Sequence, residues 1–72
     1  MTEGEKIKQA RERKKMTRTQ LARRMGVSYD QVYQWETDRR HPKLETLCKI
    51  SCVLEMSIMW FLPEGISKRA YI

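Results

Sequence analysis

The stretch that decides the fold of this chain is residues 17–42, TRTQLARRMGVSYDQVYQWETDRRHP. Thr17 and Gln20 have the spacing of a helix capping box, and Ser28 marks a second helix start. Gly26 lies between these starts, where glycine ends a helix in the left-handed conformation without steric cost. Two helix starts this close leave room only for a tight turn. The stretch therefore predicts a helix-turn-helix arrangement.

The second of these helices, residues 28–37, has two unlike faces. Val32 and Trp35 lie on one side, as expected for a helix that packs on a core, with Glu36 near their edge. The opposite side lacks the Lys and Glu of a usual solvent face and carries Asp30, Tyr33, Gln34 and Thr37, flanked by Tyr29 and Gln31. Such groups can bond base edges and phosphates, although an ordinary polar face is the alternative interpretation.

Three further helices are predicted around this pair. Residues 1–15 begin with a capping box at Thr2 and Glu5. A fourth helix is marked by Leu44, Leu47, Ile50, Ser51 and Leu54, with Cys48 beside them as a small core residue. A short fifth helix begins at Ser57 and stops at Pro63.

The fold class that follows is all-α, a compact five-helix bundle. No segment is a convincing strand, and no linker divides the chain. Seventy-two residues make one small domain, near the lower size limit at which a hydrophobic core is stable without disulfides or a bound metal. We expect residues 1–63 to form the domain and residues 64–72 to be a C-terminal tail available for dimerisation.

The charge is strongly uneven along the chain. The formal net charge is +6. Residues 1–43 hold twelve basic and six acidic side chains, whereas residues 44–72 hold three of each. A basic surface confined to the first part of the chain indicates a polyanionic partner. There is no apolar run long enough for a bilayer and no signal-peptide pattern, so we expect a cytoplasmic protein without a membrane partner.

The chemistry-bearing residues give little support to an enzyme or a metal protein. His41 is the single histidine, and it has no serine or cysteine partner at a recognisable spacing. Cys48 and Cys52 are four apart in a helical pattern, a poor geometry for a bridge, and with His41 they make an incomplete zinc set. We therefore predict no catalytic residues, no metal and no cofactor.

The pieces IKQAR, MTRTQLARRMGVS, VYQWE, RHPKLETLCKI and SIMWFL resemble, in this order, the Cro/repressor-type helix-turn-helix family. This family is also called XRE or lambda-repressor-like, and the match runs without a gap from about Ile7 to Leu62. The resemblance implies a lambda-repressor-like bundle whose second and third helices form a DNA-reading unit. It also implies a structural ion pair between Arg11 and Glu36 that holds the third helix on the scaffold.

Three positions depart from the pattern of the family. Asp38 stands where the family often has Gly, but aspartate tolerates the left-handed conformation better than most residues, so we expect the turn to survive. Arg18 stands where Gln is common, and we expect a phosphate contact with a stronger salt dependence. Met59 is an apolar residue where the family usually has a small polar or acidic one.

In the docking mode of this family, the third helix meets base edges in the major groove. The predicted base contacts are Tyr29, Asp30, Tyr33 and Gln34. Gln34 could pair bidentately with adenine, and Asp30 could accept a hydrogen bond from the amino group of cytosine. The alternative for Asp30 is a capping role at the positive N-terminus of its helix. The predicted phosphate contacts are Thr17, Arg18, Arg23, Ser28, Gln31, Thr37, Arg39, Arg40 and Lys43, with amides at the starts of helices 2 and 4.

The predicted function is sequence-specific binding of double-stranded DNA by a transcriptional regulator, a repressor of phage or bacterial type. One module touches few base pairs, so we expect a homodimer on a palindromic operator. Candidate dimer contacts are Cys52, Met56, Met59, Ile66, Tyr71 and Ile72, with Met56 equally suited to the core. The alternative is a protein-interaction module on the same fold, antirepressor- or antitoxin-like, that binds another regulator.

Overall fold

The computed structural model describes residues 1–62, and five helices follow one another in this range. They are α1 (Glu3–Arg13), α2 (Arg18–Met25), α3 (Tyr29–Glu36), α4 (Leu44–Leu54) and α5 (Ile58–Phe61). Residues 1–62 contain no strand. The predicted all-α five-helix bundle is confirmed. The tail, 64–72, with its candidate dimer contacts Ile66, Tyr71 and Ile72, lies outside the described residues.

The first three helices begin at the predicted caps. At the start of α1, Thr2 Oγ1 accepts from the amide of Glu5 at 3.1 Å, and the Glu5 carboxylate accepts from the amide of Thr2 at 2.8 Å. Thr17 and Gln20 make the same reciprocal pair before α2, at 3.1 and 2.8 Å. Ser28 Oγ accepts from an amide of the first turn of α3 at 3.1 Å. These bonds satisfy amides that a helix start leaves without partners.

A tight turn at Gly26 joins α2 to α3. Gly26 has φ 71° and ψ 31°, the left-handed conformation that ends α2. The next amide, that of Val27, donates to the carbonyl of Ala22 at 2.9 Å and closes the last turn of the helix. The short turn brings the N-terminus of α3 close to α2, as the sequence predicts.

The core lies between all five helices. Helix α3 contributes Val32 and Trp35, of which Val32 is completely buried. The other helices contribute Ile7, Ala10, Leu21, Ala22, Met25, Leu47, Ile50, Leu54 and Phe61, and Leu62, directly after α5, joins them. Helix α3 packs against α1 and α2, so its orientation depends on both. One side of α3 is thereby fixed to the scaffold and the other is left outward.

Two side chains of α4 differ from their predicted places. The prediction that Cys48 is a core residue is wrong, because its side chain is exposed. Leu44, the first residue of α4, is also exposed. The buried positions of α4 run from Leu47 to Leu54 along one stripe, and Cys48 lies one residue round the helix from that stripe. A pattern of apolar residues does not show how far around a helix its buried stripe extends.

Candidate nucleic-acid interface

The four predicted base contacts lie on the outward side of α3. Tyr29 and Asp30 are exposed, and Tyr33 and Gln34 are half-buried. We call these four residues the outer face of α3. Its position opposite the buried side follows from the helical period.

Asp30 and Gln34 hydrogen-bond each other across one helical turn. The amide nitrogen of Gln34, Nε2, donates to Asp30 Oδ2 at 3.0 Å. This bond gives the carboxylate a donor within its own helix. A bidentate contact of Gln34 with adenine would require this amide to turn away from Asp30.

Three hydroxyl groups predicted to contact phosphate already have partners. Thr17 and Ser28 accept cap bonds, which leaves their hydroxyl hydrogens free to donate. Thr37 instead donates its hydroxyl hydrogen to the carbonyl of Tyr33 at 2.8 Å. A phosphate contact by Thr37 therefore requires the loss of that bond, whereas Thr17 and Ser28 need no such change.

A basic loop follows α3. The backbone amides of Arg39 and Arg40 both donate to the carbonyl of Gln34, at 3.0 and 3.2 Å, and tie the loop to the end of the helix. Both side chains are exposed, as is that of Lys43, the residue before α4. No side chain caps α4, so the first amides of that helix are open to an anion. The other predicted phosphate contacts on α2 and α3 are Arg23, which is exposed, and Gln31, which is half-buried.

Arg11 and Glu36 form a buried bidentate ion pair. Arg11 Nε lies 2.6 Å from Glu36 Oε2, and Nη2 donates to Oε1 at 3.2 Å. As whole residues, Arg11 is 8% exposed and Glu36 is 5% exposed. The third nitrogen, Nη1, donates to the carbonyl of Met16 at 2.7 Å. The pair joins α1 to the last turn of α3, the helix that carries the outer face.

Arg18 is a predicted phosphate contact whose surroundings sequence reasoning missed. Its Nε donates to Glu36 Oε1 at 2.9 Å, and Nη1 lies 3.4 Å from the hydroxyl of Tyr29. The hydrogen bond to Glu36 raises the pKa of Arg18. Its guanidinium also lies 5.3 Å from the centre of the Tyr33 ring. Arg18 is thus bonded to the scaffold and to the outer face of α3 at the same time.

The turn after α3 is anchored by Asp38. Asp38 has φ 60°, so the predicted left-handed conformation at this position is confirmed. Its carboxylate accepts from the amide of Gly4 at 2.9 Å and from Thr2 Oγ1 at 2.5 Å. The start of α1 and the end of α3 are therefore tied together. Capping signals are local, and they gave no indication of this longer-range contact.

The candidate dimer contacts within the described range are Cys52, which is exposed, and Met56 and Met59, which are half-buried against the core. Met56 thus contributes to the core while part of its side chain stays accessible. Within residues 1–62, no helix is long and apolar enough to cross a membrane. The same range holds no group of three or more side chains placed to bind a metal.

A tight turn that sets an outward polar helix face beside a basic loop defines a helix-turn-helix domain. The helix-turn-helix family model (HTH_3) matches residues 7–61. The chain belongs to this family, as the sequence resemblance predicted.

The curated relatives include regulators and a repressor. The HTH-type transcriptional regulator DicA of Escherichia coli (strain K12) is 36% identical over 62 residues, which are 86% of this chain and 46% of DicA. The immunity repressor protein of Bacillus phage phi105 is 34% identical over 64 residues, 89% of this chain and 44% of the phage protein. The chain spans about half the length of these curated relatives.

Two solved structures share the fold and contain DNA. The biofilm regulator SinR in complex with DNA aligns with a TM-score of 0.79 at 30% identity, over 86% of this chain and all of that one (100%). The P22 c2 repressor with a synthetic operator aligns with a TM-score of 0.81 at 30% identity, over 92% of this chain and 98% of that one. The predicted lambda-repressor-like bundle is confirmed.

Proposed function

We propose that this domain binds double-stranded DNA sequence-specifically, as part of a transcriptional repressor of phage or bacterial type. The observation that carries the proposal is the outer face of α3, whose Tyr29, Asp30, Tyr33 and Gln34 are turned away from the core and adjoin a basic loop. The regulators and repressors among its relatives, and the two DNA complexes among its structural neighbours, support the same function.

The base contacts come from α3 in the major groove, which is wide enough for one helix. Gln34 pairs with adenine through its amide, and Tyr33 lays its ring against a thymine methyl group. Asp30 accepts from the amino group of cytosine, and Tyr29 reaches a base or a phosphate. A good contact of this kind discriminates between bases by about 1–3 kcal/mol.

The phosphate contacts surround this face and provide affinity without base preference. On the α4 side, the DNA phosphates are bound by Arg39, Arg40 and Lys43, together with the uncapped amides of that helix. On the α2 side the contacts are those of Thr17, Arg18 and Arg23, and α3 with its two caps adds those of Ser28, Gln31 and Thr37. Each phosphate that is neutralised releases counterions, so affinity falls as salt rises.

The binding unit is a homodimer on a palindromic operator, since one α3 touches only a few base pairs. Two-fold dimers of helix-turn-helix proteins bind half-sites about 34–36 Å apart. Candidate contacts between copies are Cys52, Met56 and Met59 with the tail, 64–72. The proposed protein is cytoplasmic, uses no cofactor and has no catalytic activity.

A selection of binding sites from a random duplex pool tests this proposal, followed by titration of the enriched site across a salt series. We expect one enriched sequence with two-fold symmetry, bound more tightly than random duplex at every salt concentration. A pool without enrichment, together with affinity that does not change with salt, would overturn DNA binding. Capture of another regulator by the same domain would then favour the protein-interaction module.

A further inference from the structure

Two guanidinium groups lie over the ring of Tyr33, in the middle of the outer face of α3. The carbon Cζ of Arg18 is 5.3 Å from the ring centre, and that of Arg39 is 5.8 Å away. Both distances are within the range of cation–π attraction. The two arginines come from different elements, the first residue of α2 and the loop after α3. The ring is therefore held by contacts from outside its own helix.

Arg18 is itself held by Glu36. Its Nε donates to Glu36 Oε1 at 2.9 Å, and the Glu36 side chain is completely buried. The same guanidinium lies within 3.4 Å of the Tyr29 hydroxyl. Only 24% of the Arg18 side chain is exposed. One planar group thus connects a fixed carboxylate to both tyrosines of the outer face.

We propose that Arg18 is a positioning residue, which fixes Tyr29 and Tyr33 and thereby sets the base preference at the pairs that these tyrosines contact. This inference rests on the proposed DNA binding. A residue that only neutralises a phosphate needs a positive charge, which lysine also provides. Holding a carboxylate and an aromatic ring at the same time needs the planar fork of arginine, which lysine lacks. Arg18→Lys separates the two roles.

The fold is expected to survive this substitution. Arg11 makes two hydrogen bonds to the Glu36 carboxylate, at 2.6 and 3.2 Å, and both remain when Arg18 is replaced. Glu36 is therefore not left as an unpaired buried charge. Arg24→Lys is the matched control, because Arg24 lies on the same helix, is exposed and is not a proposed DNA contact.

The first measurement compares affinity for the selected site with affinity for every single-base-pair variant of it. We expect Arg18→Lys to reduce discrimination at one or two base pairs by about fivefold or more, the low end of one base contact. Tyr33→Leu should reduce discrimination at one of the same base pairs. The double variant should lose no more discrimination there than the single variant with the larger loss. Arg24→Lys should keep every preference. Unchanged preferences in Arg18→Lys, or losses that multiply in the double variant, would overturn the proposal.

The second measurement needs no DNA and keeps this inference separate from the proposed function. Nuclear magnetic resonance of the free protein should show ring signals of Tyr29 and Tyr33 that shift in Arg18→Lys and stay in place in Arg24→Lys. Ring signals unaffected by Arg18→Lys overturn the inference even if the native protein binds DNA. Shifted ring signals in a protein that binds no preferred duplex overturn the proposed function, and with it the role of Arg18 in base preference.

Discussion

Gly4 lies directly against the backbone of Trp35. A β-carbon at Gly4 would be 2.5 Å from the Trp35 carbonyl oxygen and 2.7 Å from that of Glu36. These separations are shorter than a carbon and an oxygen approach without a bond. Helices α1 and α3 can therefore come this close only because residue 4 has no side chain. The position of α3, and of its outer face, depends on this contact.

Gly4→Ala should lower the free energy of unfolding by about 1–3 kcal/mol, the usual cost of overpacking. In a helix without such a neighbour the same change would stabilise by about 1 kcal/mol, because alanine is the better helix former. Urea denaturation measures the difference. Lys8→Ala, at an exposed position of the same helix, is the control and should stay within about 0.5 kcal/mol of the native protein. A Gly4→Ala protein as stable as the native one would contradict the close contact.

Arg11→Ala should be among the most destabilising substitutions of the domain. It removes two hydrogen bonds from the buried Glu36 carboxylate and one from the carbonyl of Met16. Breaking a buried ion pair costs about 3–5 kcal/mol, and we expect the lower end because Arg18 still contacts Glu36. Thermal and urea denaturation measure the loss. Arg24→Ala, at an exposed position of α2, should have little effect, and equal losses in the two variants would refute a special role for the pair.

Asp38 combines a left-handed backbone with two hydrogen bonds to the start of α1, and three substitutions separate these features. Asp38→Asn keeps the left-handed conformation and the bond from the Gly4 amide, and its Nδ2 can donate to Thr2 Oγ1 in place of the bond that Oδ2 accepts, so it should change stability least. Asp38→Gly keeps the conformation and loses the bonds, at a cost of about 0.5–2 kcal/mol for a lost cap. Asp38→Ala loses both, and we expect about 1–3 kcal/mol, because left-handed alanine adds a further cost. If denaturation showed Asp38→Gly to be the least stable of the three, this order would be wrong.

Glu3 should make stability depend on pH. Burial raises the pKa of its carboxyl group from 4.5; nearby His41 and Lys6 oppose this, and Asp38 adds to it. A carboxyl whose pKa is raised by folding contributes stability below its unfolded pKa, and this contribution is lost as pH rises through the folded value. Glu3→Gln does not titrate. Its free energy of unfolding, minus that of the native protein, should therefore increase between about pH 4 and pH 7.

Urea denaturation across this pH range measures that difference. His41→Asn supplies a comparison, because the nearest group that lowers the pKa of Glu3 is then removed: Glu3 Oε1 lies 3.6 Å from His41 Nδ1. In the His41→Asn background, the effect of Glu3→Gln should extend to higher pH. A difference that stays constant or decreases with pH would show that burial does not raise the pKa of Glu3.

The features that the sequence predicted depend on neighbours within a few residues. The cap bonds at Thr2, Thr17 and Ser28, and the left-handed Gly26, are made inside one helical turn, so the residue type nearly determines them. The same applies to the period of α3, which separates its buried side from its outer face. The number of helices and the placement of the outer face could therefore be predicted without coordinates.

The features that could not be predicted from the sequence depend on how the helices cross. Arg18 reaches Glu36, and Gly4 meets Trp35, only because of the distances and angles between α1, α2 and α3. Neither a capping signal nor a hydrophobic period determines the distances and angles between helices. The phosphate contact predicted for Arg18 follows from its position, where the family commonly has Gln, and the sequence does not show its contact with Glu36. Cys48 was placed in the core for a similar reason, since the pattern does not give the width of the buried stripe.

Affinity and base preference should depend on different residues, affinity on Arg40 and base preference on Gln34. Arg40 is exposed in the basic loop, so Arg40→Ala should weaken binding to all duplexes alike and reduce the slope of log affinity against log salt by about 1. Gln34 lies on the outer face, so Gln34→Ala should relax preference at one base pair, by about 1–3 kcal/mol, and leave the slope unchanged. Each variant is the control for the other.

Titrations of the selected site and of its single-base-pair variants, at several salt concentrations, measure both quantities together. The bond from Gln34 Nε2 to Asp30 Oδ2 adds a further expectation. Gln34→Ala frees the Asp30 carboxylate from its donor, and repulsion from nearby phosphates should then weaken binding to every duplex to a small extent. Asp30→Asn combined with Gln34→Ala should recover this uniform part of the loss and none of the lost preference. If Arg40→Ala changed base preference and Gln34→Ala did not, α3 would not be the element that reads the bases.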